Sequence, residues 1–447
     1  MAPGNPKSKH SEAPAGKAGG SPESANHGSQ QPDNPAEDIC LLLPVSERAN
    51  IEVLPVKRID PIFISLDETN MPNRWIWEQP NWPKLEWDRQ RLMEPLGGAR
   101  KAQGRLQMAR ELLSPELTKE ALAAILKWEG INTSAIEGKY LNPESVAASV
   151  ARRLGMPKVG KTPPDFESDA LVSVMLDAVD TYKEPLALDR LLSWQKAMLE
   201  GEQSSLHRVV TGDLRPDEVE VKSGVVGKST IYFMGVPKAQ LDENVNSFLD
   251  WFNMPDPRMD GLVRAGIAHL WFVTIHPFED GNGRVTRAIT DRAVAQDEQN
   301  PQTLFRMSTR IHKVKGDYYQ SLQTAQDFQN GLVITPWLEW FLQQVEEACK
   351  NSEDIIRNTL AKAKFWARHH TDDINERQRK VLNRLLDAGR DGFEGGLTNK
   401  KYVSMTKVGQ ATAYRDIEEL LSIGGLVQLD KGGRSTAYNL PWDDLLS

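Results

Sequence analysis

A chain of 447 residues with a formal net charge of -8 has room for two or three domains, and its overall charge does not advertise a nucleic acid or a membrane surface as partner. Its two cysteines, Cys40 and Cys349, make neither a disulfide framework nor a metal site and suit a reducing compartment. No apolar run approaches the ~20 residues that span a bilayer. The opening MAPGNPKSKHSEAPAGKAGG lacks the apolar segment of a secretory signal, so a cytoplasmic protein with no membrane partner is expected.

Residues 1–38 are dominated by Gly, Pro, Ser, Ala and Asn, a composition that buries too little surface to offset its ordering entropy, and are expected to form a disordered tail. Residues 39–70 hold short apolar pieces broken by prolines and predict an extended arm. Next comes RWIWEQPNWPKLEWD, with Trp75, Trp77, Trp82 and Trp87. These rings are read as anchors tying an N-terminal helical region, 71–155, to the main body; a platform for a base or peptide is the alternative.

Apolar residues then recur at three and four spacings in GRLQMARELL, KEALAAILKWEG, ESDALVSVMLDAVDTYKE, LDENVNSFLDWFN, LVRAGIAHLWFVTI and ITPWLEWFLQQVEEACK, each an amphipathic helix. The main break is GDLRPDEVEVKSGVVGKSTIYFMGVP, 212–237, which alternates as strands do and turns at a glycine. The fold class is therefore mainly α, a helical core at 156–350 with one β-hairpin. A linker helix at 351–374 leads to a change of character at 375–447, where three helical patterns and a short Gly-Gly hairpin predict a winged-helix-like domain with 410–421 as recognition helix. Charges in this tail are nearly balanced, whereas phosphate contacts need an evident basic face. A protein-docking or dimerising module is favoured over DNA contact.

Within the hairpin, SGVVGKST at 223–230 resembles a phosphate-binding P-loop, but Lys222 stands where the first glycine is required. The following IYFMGVP reads as a strand, with no helix N-terminus to receive phosphate.

The chemistry concentrates in HPFEDGNGRVTR, 276–287. Pro277 stops the preceding helix, and a second helix starts at Asn282-Gly283 with its free N–H groups facing the loop, an arrangement that attracts anions. Gly281 and Gly283 let the backbone approach a phosphate with no Cβ in the way. Arg284 and Arg287 share a face in the first turns and can fork onto further phosphate oxygens. Asp280 is a hard oxygen ligand suited to Mg²⁺ bridging those phosphates, while an EF-hand starting there would place Val285 at its obligatory glycine. His276 is the one nearby group that takes a proton at neutral pH. A proton acceptor beside a Mg-bound polyphosphate suits nucleotidyl transfer to a hydroxyl.

This stretch matches without a mismatch the Fic-family motif HPFx[D/E]GNGRxxR, and the chain resembles that family over roughly 75–350, with a Trp-rich start and a winged-helix end like one bacterial architecture. The resemblance implies transfer of AMP from ATP to a Ser, Thr or Tyr hydroxyl of a protein. It makes His276 the general base and Asp280 the Mg²⁺ ligand. It places Phe278, Glu279, Asp280, Gly281, Asn282 and Gly283 around ATP, with Asn282 and the loop amides on the α/β-phosphates and Phe278 as the peg fixing the loop. Arg284 and Arg287 take the distal phosphates.

INTSAIEG at 131–138 resembles the family's inhibitory helix, [S/T]xxxE[G/N], with Thr133, Glu137 and Gly138 in the key positions. A carboxylate entering the anion site would pair with an arginine and take the place of the terminal phosphate; in the family that arginine is the one at Arg287. The same glutamate can serve removal of AMP, so the direction of catalysis stays open. The hairpin at 220–234 resembles the flap that holds a target segment by strand addition, with Ser229, Thr230, Ile231 and Tyr232 against the nucleotide. Tyr318 and Tyr319 would line the adenosine side, core packing being the alternative. Gln326 stands where many relatives carry Asn. His269 reads as a satisfied core histidine and His369-His370 as a solvated pair.

The primary expectation is a protein adenylyltransferase restrained by Glu137, able to modify a target protein or itself and plausibly dimeric. The alternatives are a deAMPylase, transfer of another nucleotide such as UMP, and a DNA-binding regulator acting through 375–447 with a nucleotide-sensing core.

Overall fold

The computed structural model describes residues 74–157, 163–200, 209–225, 228–390, 392–429 and 436–446. The expected tail and arm, and the tip of the second hairpin, lie outside the described residues.

Helix α1 spans Met93–Leu112 and α2 spans Pro115–Ile136. The turn between them is set by Ser114, whose hydroxyl accepts from the Leu117 N–H ahead of a proline in the first turn. Helices α3, Pro143–Arg153, α4, Phe166–Asp180, and α5, Leu188–Leu199, follow, the first two capped by Asn142 and Asp165. Strands β1, Glu220–Val225, and β2, Lys228–Met234, pair antiparallel with a register shift between Val221 and Lys222. The expected hairpin at 220–234 is thus present. Then come α6, Leu241–Asn253, α7, Gly261–Ile275, α8, Asn282–Glu298, α9, Met307–Lys313, α10, Lys315–Gln326, and the long α11, Thr335–Arg368.

Every residue of α7 from Leu262 to Ile275 is buried, so this helix is the axis of the core, and α8 packs along it. Phe248, Phe252, Trp271 and Phe272 meet ring against ring around it. Each fully buried phenylalanine contributes roughly 1.5–3 kcal/mol. The N-terminal tryptophans pin the chain onto this body. Trp75 lies edge-on to Phe233 of β2 at 5.3 Å, Trp77 Nε1 donates to the Met234 carbonyl at 2.8 Å, and Trp82 Nε1 donates to Asn244 Oδ1 at 2.7 Å. Trp87 packs partly buried on the same core.

Helix α11 runs unbroken across residue 350, where the sequence suggested a boundary. Its first half packs in the main core, while Ala361 and Phe365 join a second apolar cluster. That cluster is completed by α12, Glu376–Ala388, α13, Asn399–Thr406, α14, Gln410–Ser422, the antiparallel strands β3, Val427–Gln428, and β4, Tyr438–Asn439, and α15, Trp442–Leu446. Asp416 of α14 is held inside it by Arg377 at 3.1 Å and the Tyr402 hydroxyl at 2.8 Å. His369 departs from the expected solvated pair: it is buried against Phe365, with Nδ1 2.6 Å from Asp372 Oδ2, because α11 delivers it into the second cluster. His370 is exposed. Among the described residues no helix is long and apolar enough to cross a membrane.

Candidate active site

The site is built where α7 ends and α8 begins. His276 caps α7 in the left-handed region, φ 53°, with its N–H still bonded to the Phe272 carbonyl at 3.2 Å. Its Nδ1 lies 3.0 Å from the Val273 carbonyl. A carbonyl only accepts, so Nδ1 carries the proton and Nε2 presents a lone pair. Burial, together with the nearby Arg215 cation, pulls this histidine down to about 4, against the raising influence of the Val273 bond and Glu137. The ring is neutral at pH 7, the form a proton acceptor needs.

The loop is held by its own residues. Phe278 is fully buried, and its N–H and C=O are clamped by Asn282 Oδ1 at 2.9 Å and Nδ2 at 2.8 Å. Asn282 is therefore a clamp on the loop, with both atoms of its side-chain amide engaged by Phe278. Gly281, φ 86°, supplies the left-handed turn into α8, and its N–H donates to Asp280 Oδ1 at 2.5 Å. Glu279 Oε2 accepts from the Val210 N–H at 2.9 Å. Arg284 is buried and donates to the Met198 carbonyl of α5 at 3.3 Å. Although they share a turn of α8, Arg284 reaches towards α5 and Arg287 towards α2.

Arg287, 2 % exposed, is gripped by α2. Its Nε donates to Thr133 Oγ1 at 2.7 Å, and its Nη2 donates to the Thr133 carbonyl at 3.0 Å and to Glu137 Oε1 at 2.7 Å. Burial alone would raise the Glu137 carboxyl, but the charge and hydrogen bond of Arg287 outweigh it and hold the group ionised below the usual carboxylate range. A Cβ on Gly283 would fall 2.3 Å from that same carboxylate oxygen, so Glu137 rests on the first turn of α8, where an anion is most favoured. Glu137 can reach it because α2 ends there. The Gly138 N–H bonds to the Ala135 carbonyl and the Lys139 N–H to that of Ser134, with Gly138 left-handed at φ 80°, which turns the chain away after the glutamate.

The remaining expected residues divide. Ile231 and Tyr232 lie in β2, with Tyr232 exposed; Ser229 and Thr230 belong to the same strand, with their side chains outside the described set. Tyr318 is buried, its hydroxyl 2.9 Å from His269 Nε2 and close to the Arg287 guanidinium, with its ring among Trp337 and Trp340. A pair at adjacent helix positions points two ways, and only Tyr319 emerges, its hydroxyl donating to the Ile136 carbonyl at 3.4 Å. Gln326 is also buried, donating to Thr274 Oγ1 at 3.1 Å. His269, bonded to Thr290 as well as Tyr318, is the satisfied core histidine expected.

Two residues unnoticed in the sequence hold the loop from outside. Gln195 donates to the Val210 and Asp280 carbonyls at 3.0 and 3.2 Å and accepts from the Gly212 N–H at 2.7 Å. Arg215, 1 % exposed, donates from Nε to the His276 carbonyl at 2.8 Å, and its own N–H bonds to the Pro277 carbonyl at 3.0 Å. Neither carries a sequence signal beyond a polar residue in a helix and a charge in a turn.

Among the described residues no group of three or more His, Cys, Asp or Glu is arranged to hold a metal. Asp280, exposed at the loop mouth, offers the single carboxylate that Mg²⁺ uses when phosphates and water complete its shell.

Residues 185–293 match the sequence model of the Fic/DOC family, and residues 75–156 match a domain of unknown function, DUF4172. Protein adenylyltransferase fic-1 of Caenorhabditis elegans is 29% identical over 161 residues, 34% of this chain and 30% of that protein. Its counterpart in Caenorhabditis briggsae is 32% identical over 124 residues, 27% and 22% of the two chains. Protein adenylyltransferase Fic of Nematostella vectensis is 26% identical over 206 residues, 43% and 42% of the two chains. The chain thus spans between 22% and 42% of the length of these curated relatives. Among solved structures, a Fic family protein from Desulfovibrio desulfuricans aligns over 78% of this chain and 95% of its own, with a TM-score of 0.44 and 18% identity. C. elegans Fic-1 aligns over 60% and 73%, with a TM-score of 0.38 and 21% identity.

Proposed function

We propose that this chain, a Fic/DOC-family protein by residues 185–293 and related to known Fic adenylyltransferases, transfers AMP from ATP to a Ser, Thr or Tyr hydroxyl of a protein, itself included, and is restrained by Glu137. The observation that carries this reading is the neutral His276 beside an anion site that the Glu137 carboxylate fills. The target hydroxyl oxygen attacks the α-phosphorus of ATP and the bond from that phosphorus to the α,β-bridging oxygen breaks. Pyrophosphate leaves, and the hydroxyl proton goes to His276 Nε2. The N-terminus of α8, Arg284 and Arg287 meet the phosphate charge. Asp280 would hold Mg²⁺, which would supply further neutralisation of the phosphate charge. The edge of the β1–β2 hairpin supports an extended target segment by main-chain pairing.

While Glu137 lies on Gly283 and Arg287, a terminal phosphate has no room on that turn, so ATP is kept from the pose in which its α-phosphorus faces the hydroxyl. The partly exposed carboxylate of Glu137 also suits activation of water in the opposite reaction, release of AMP from a modified protein. The C-terminal helices and β3–β4 pair are read as a winged-helix module for docking or dimerisation. The test is incorporation of label into protein by the Glu137→Gly chain from α-labelled but not γ-labelled ATP, abolished by adding His276→Ala. Label from γ-labelled ATP would contradict nucleotidyl transfer.

A further inference from the structure

One buried cation outside the motif joins three stretches of the site. Arg215 lies in the segment between α5 and β1, and among the described residues its guanidinium meets carbonyls at hydrogen-bond distance: His276 and Asp217 at 2.8 and 2.7 Å, and Val236 through Nη2. Its nearest acid, Glu218, is 3.9 Å away and largely exposed. Burial lowers the Arg215 guanidinium from its ordinary value. The three carbonyls are distant in sequence and each is structurally telling. His276 ends α7 in the left-handed region, where the last carbonyls of a helix lose their intrahelical partners and favour a cation. Asp217 and Val236 flank β1 and β2, so they are the two roots of the hairpin. The root also touches the histidine directly: a Cβ on Gly235 would stand 3.0 Å from His276 Cβ and 3.2 Å from the Ile275 carbonyl.

We infer that Arg215 is a positioning residue that registers the His276 ring against the hairpin presenting the target hydroxyl. It touches neither nucleotide phosphates nor the reacting atoms. Its loss therefore lets the base and the target drift apart while leaving the anion site on α8 in place. A displacement of about 1 Å between reacting groups costs on the order of 100-fold in rate.

This inference rests on the AMP-transfer reading, and the experiment separates the two. The full chain carrying Glu137→Gly is the parent. Arg215→Gln and Arg215→Lys are placed in it, and three quantities are measured: kcat for labelling from α-labelled ATP, ATP affinity by equilibrium binding, and the pH dependence of the rate. Arg215→Gln is expected to lower kcat about 100-fold with ATP affinity within threefold of the parent. It should also move the acid limb of the profile upward, because the cation beside His276 is gone. Arg215→Lys, which keeps the charge but spans fewer carbonyls, is expected to lose about tenfold with the acid limb unmoved. Either folded variant labelling within threefold of the parent overturns the inference, as does a loss confined to ATP affinity. If the Gln variant does not fold, the Lys variant decides alone. A parent that never labels contradicts the AMP-transfer reading instead, and ATP binding by that silent parent shows that the fold is intact.

Discussion

Replacing Glu129 by glutamine should stabilise the protein at alkaline pH and leave it unchanged at acid pH. Glu129, Thr133 and Glu137 follow one another at four-residue spacing on one face of α2, as Arg287 and Asp291 do on α8. Glu129 is 2 % exposed, and both its oxygens lie 3.1 Å from the Ser308 N–H, the second also accepting from Thr309 at 3.3 Å. Burial first, then the charge of Asp291, push this carboxyl up to about 7, against Arg306 and the Ser308 bonds, which pull it down. Burial raises Asp291 as well, although Arg306 lies 3.1 Å from it. From the ordinary carboxylate value up to about 7 the folded state keeps a proton that the unfolded chain has released. Stability is therefore complete below that window and falls as pH rises through it, by about 1–3 kcal/mol. Glutamine keeps an acceptor for the α9 amides and removes the charge. Thermal unfolding of the full chain should show Glu129→Gln melting about 1–4 °C higher than the unmodified protein at pH 8, with the gain absent at pH 4.5. A difference that does not change with pH, or a loss at pH 8, would refute the reasoning.

Two further outcomes follow from the same seam and loop. Thr133→Val keeps the shape of α2 but removes the hydroxyl that accepts from Arg287 Nε at 2.7 Å. A hydrogen bond to a charged group contributes about 1.5–3 kcal/mol, so initial labelling rates should rise on the order of tenfold and remain below those of Glu137→Gly. An unchanged rate would remove Thr133 from the brake. Because His276 is held near 4, it stays unprotonated above that pH, and kcat/KM of the Glu137→Gly chain should be flat from pH 6 to 8 with its acid limb below 5; a limb at the ordinary histidine value near 6.5 would contradict the half-buried, Nδ1-bonded ring.

Much of this arrangement is legible in the sequence because it is local. Helical periodicity marks α2, α7 and α8, alternation around a glycine marks β1 and β2, and the loop from His276 to Gly283 carries its conformation in its own Pro, Gly and Asn residues. What is not legible depends on encounters between distant segments. Arg215 sits in GDLRPDEV, which reads as a charged surface turn, and becomes buried only because carbonyls 61 and 21 residues away converge on it. Tyr318 and Tyr319 look equivalent until the helix is docked and one faces Trp337. His369 looks solvated beside His370 until α11, continuing past residue 350, carries it into the second core. Asn282 shows the reverse case, a motif residue whose side chain is engaged within the loop itself.

The central claim joins one base to one brake, and one experiment reads both. Label incorporation from α-labelled ATP with Mg²⁺ is compared for the intact chain, Glu137→Gly, and Glu137→Gly combined with His276→Ala, with self-modification as the readout. Strong labelling confined to the single Glu137→Gly variant is the predicted result. Equal labelling of the intact chain and Glu137→Gly, or labelling that survives the loss of His276, would contradict it.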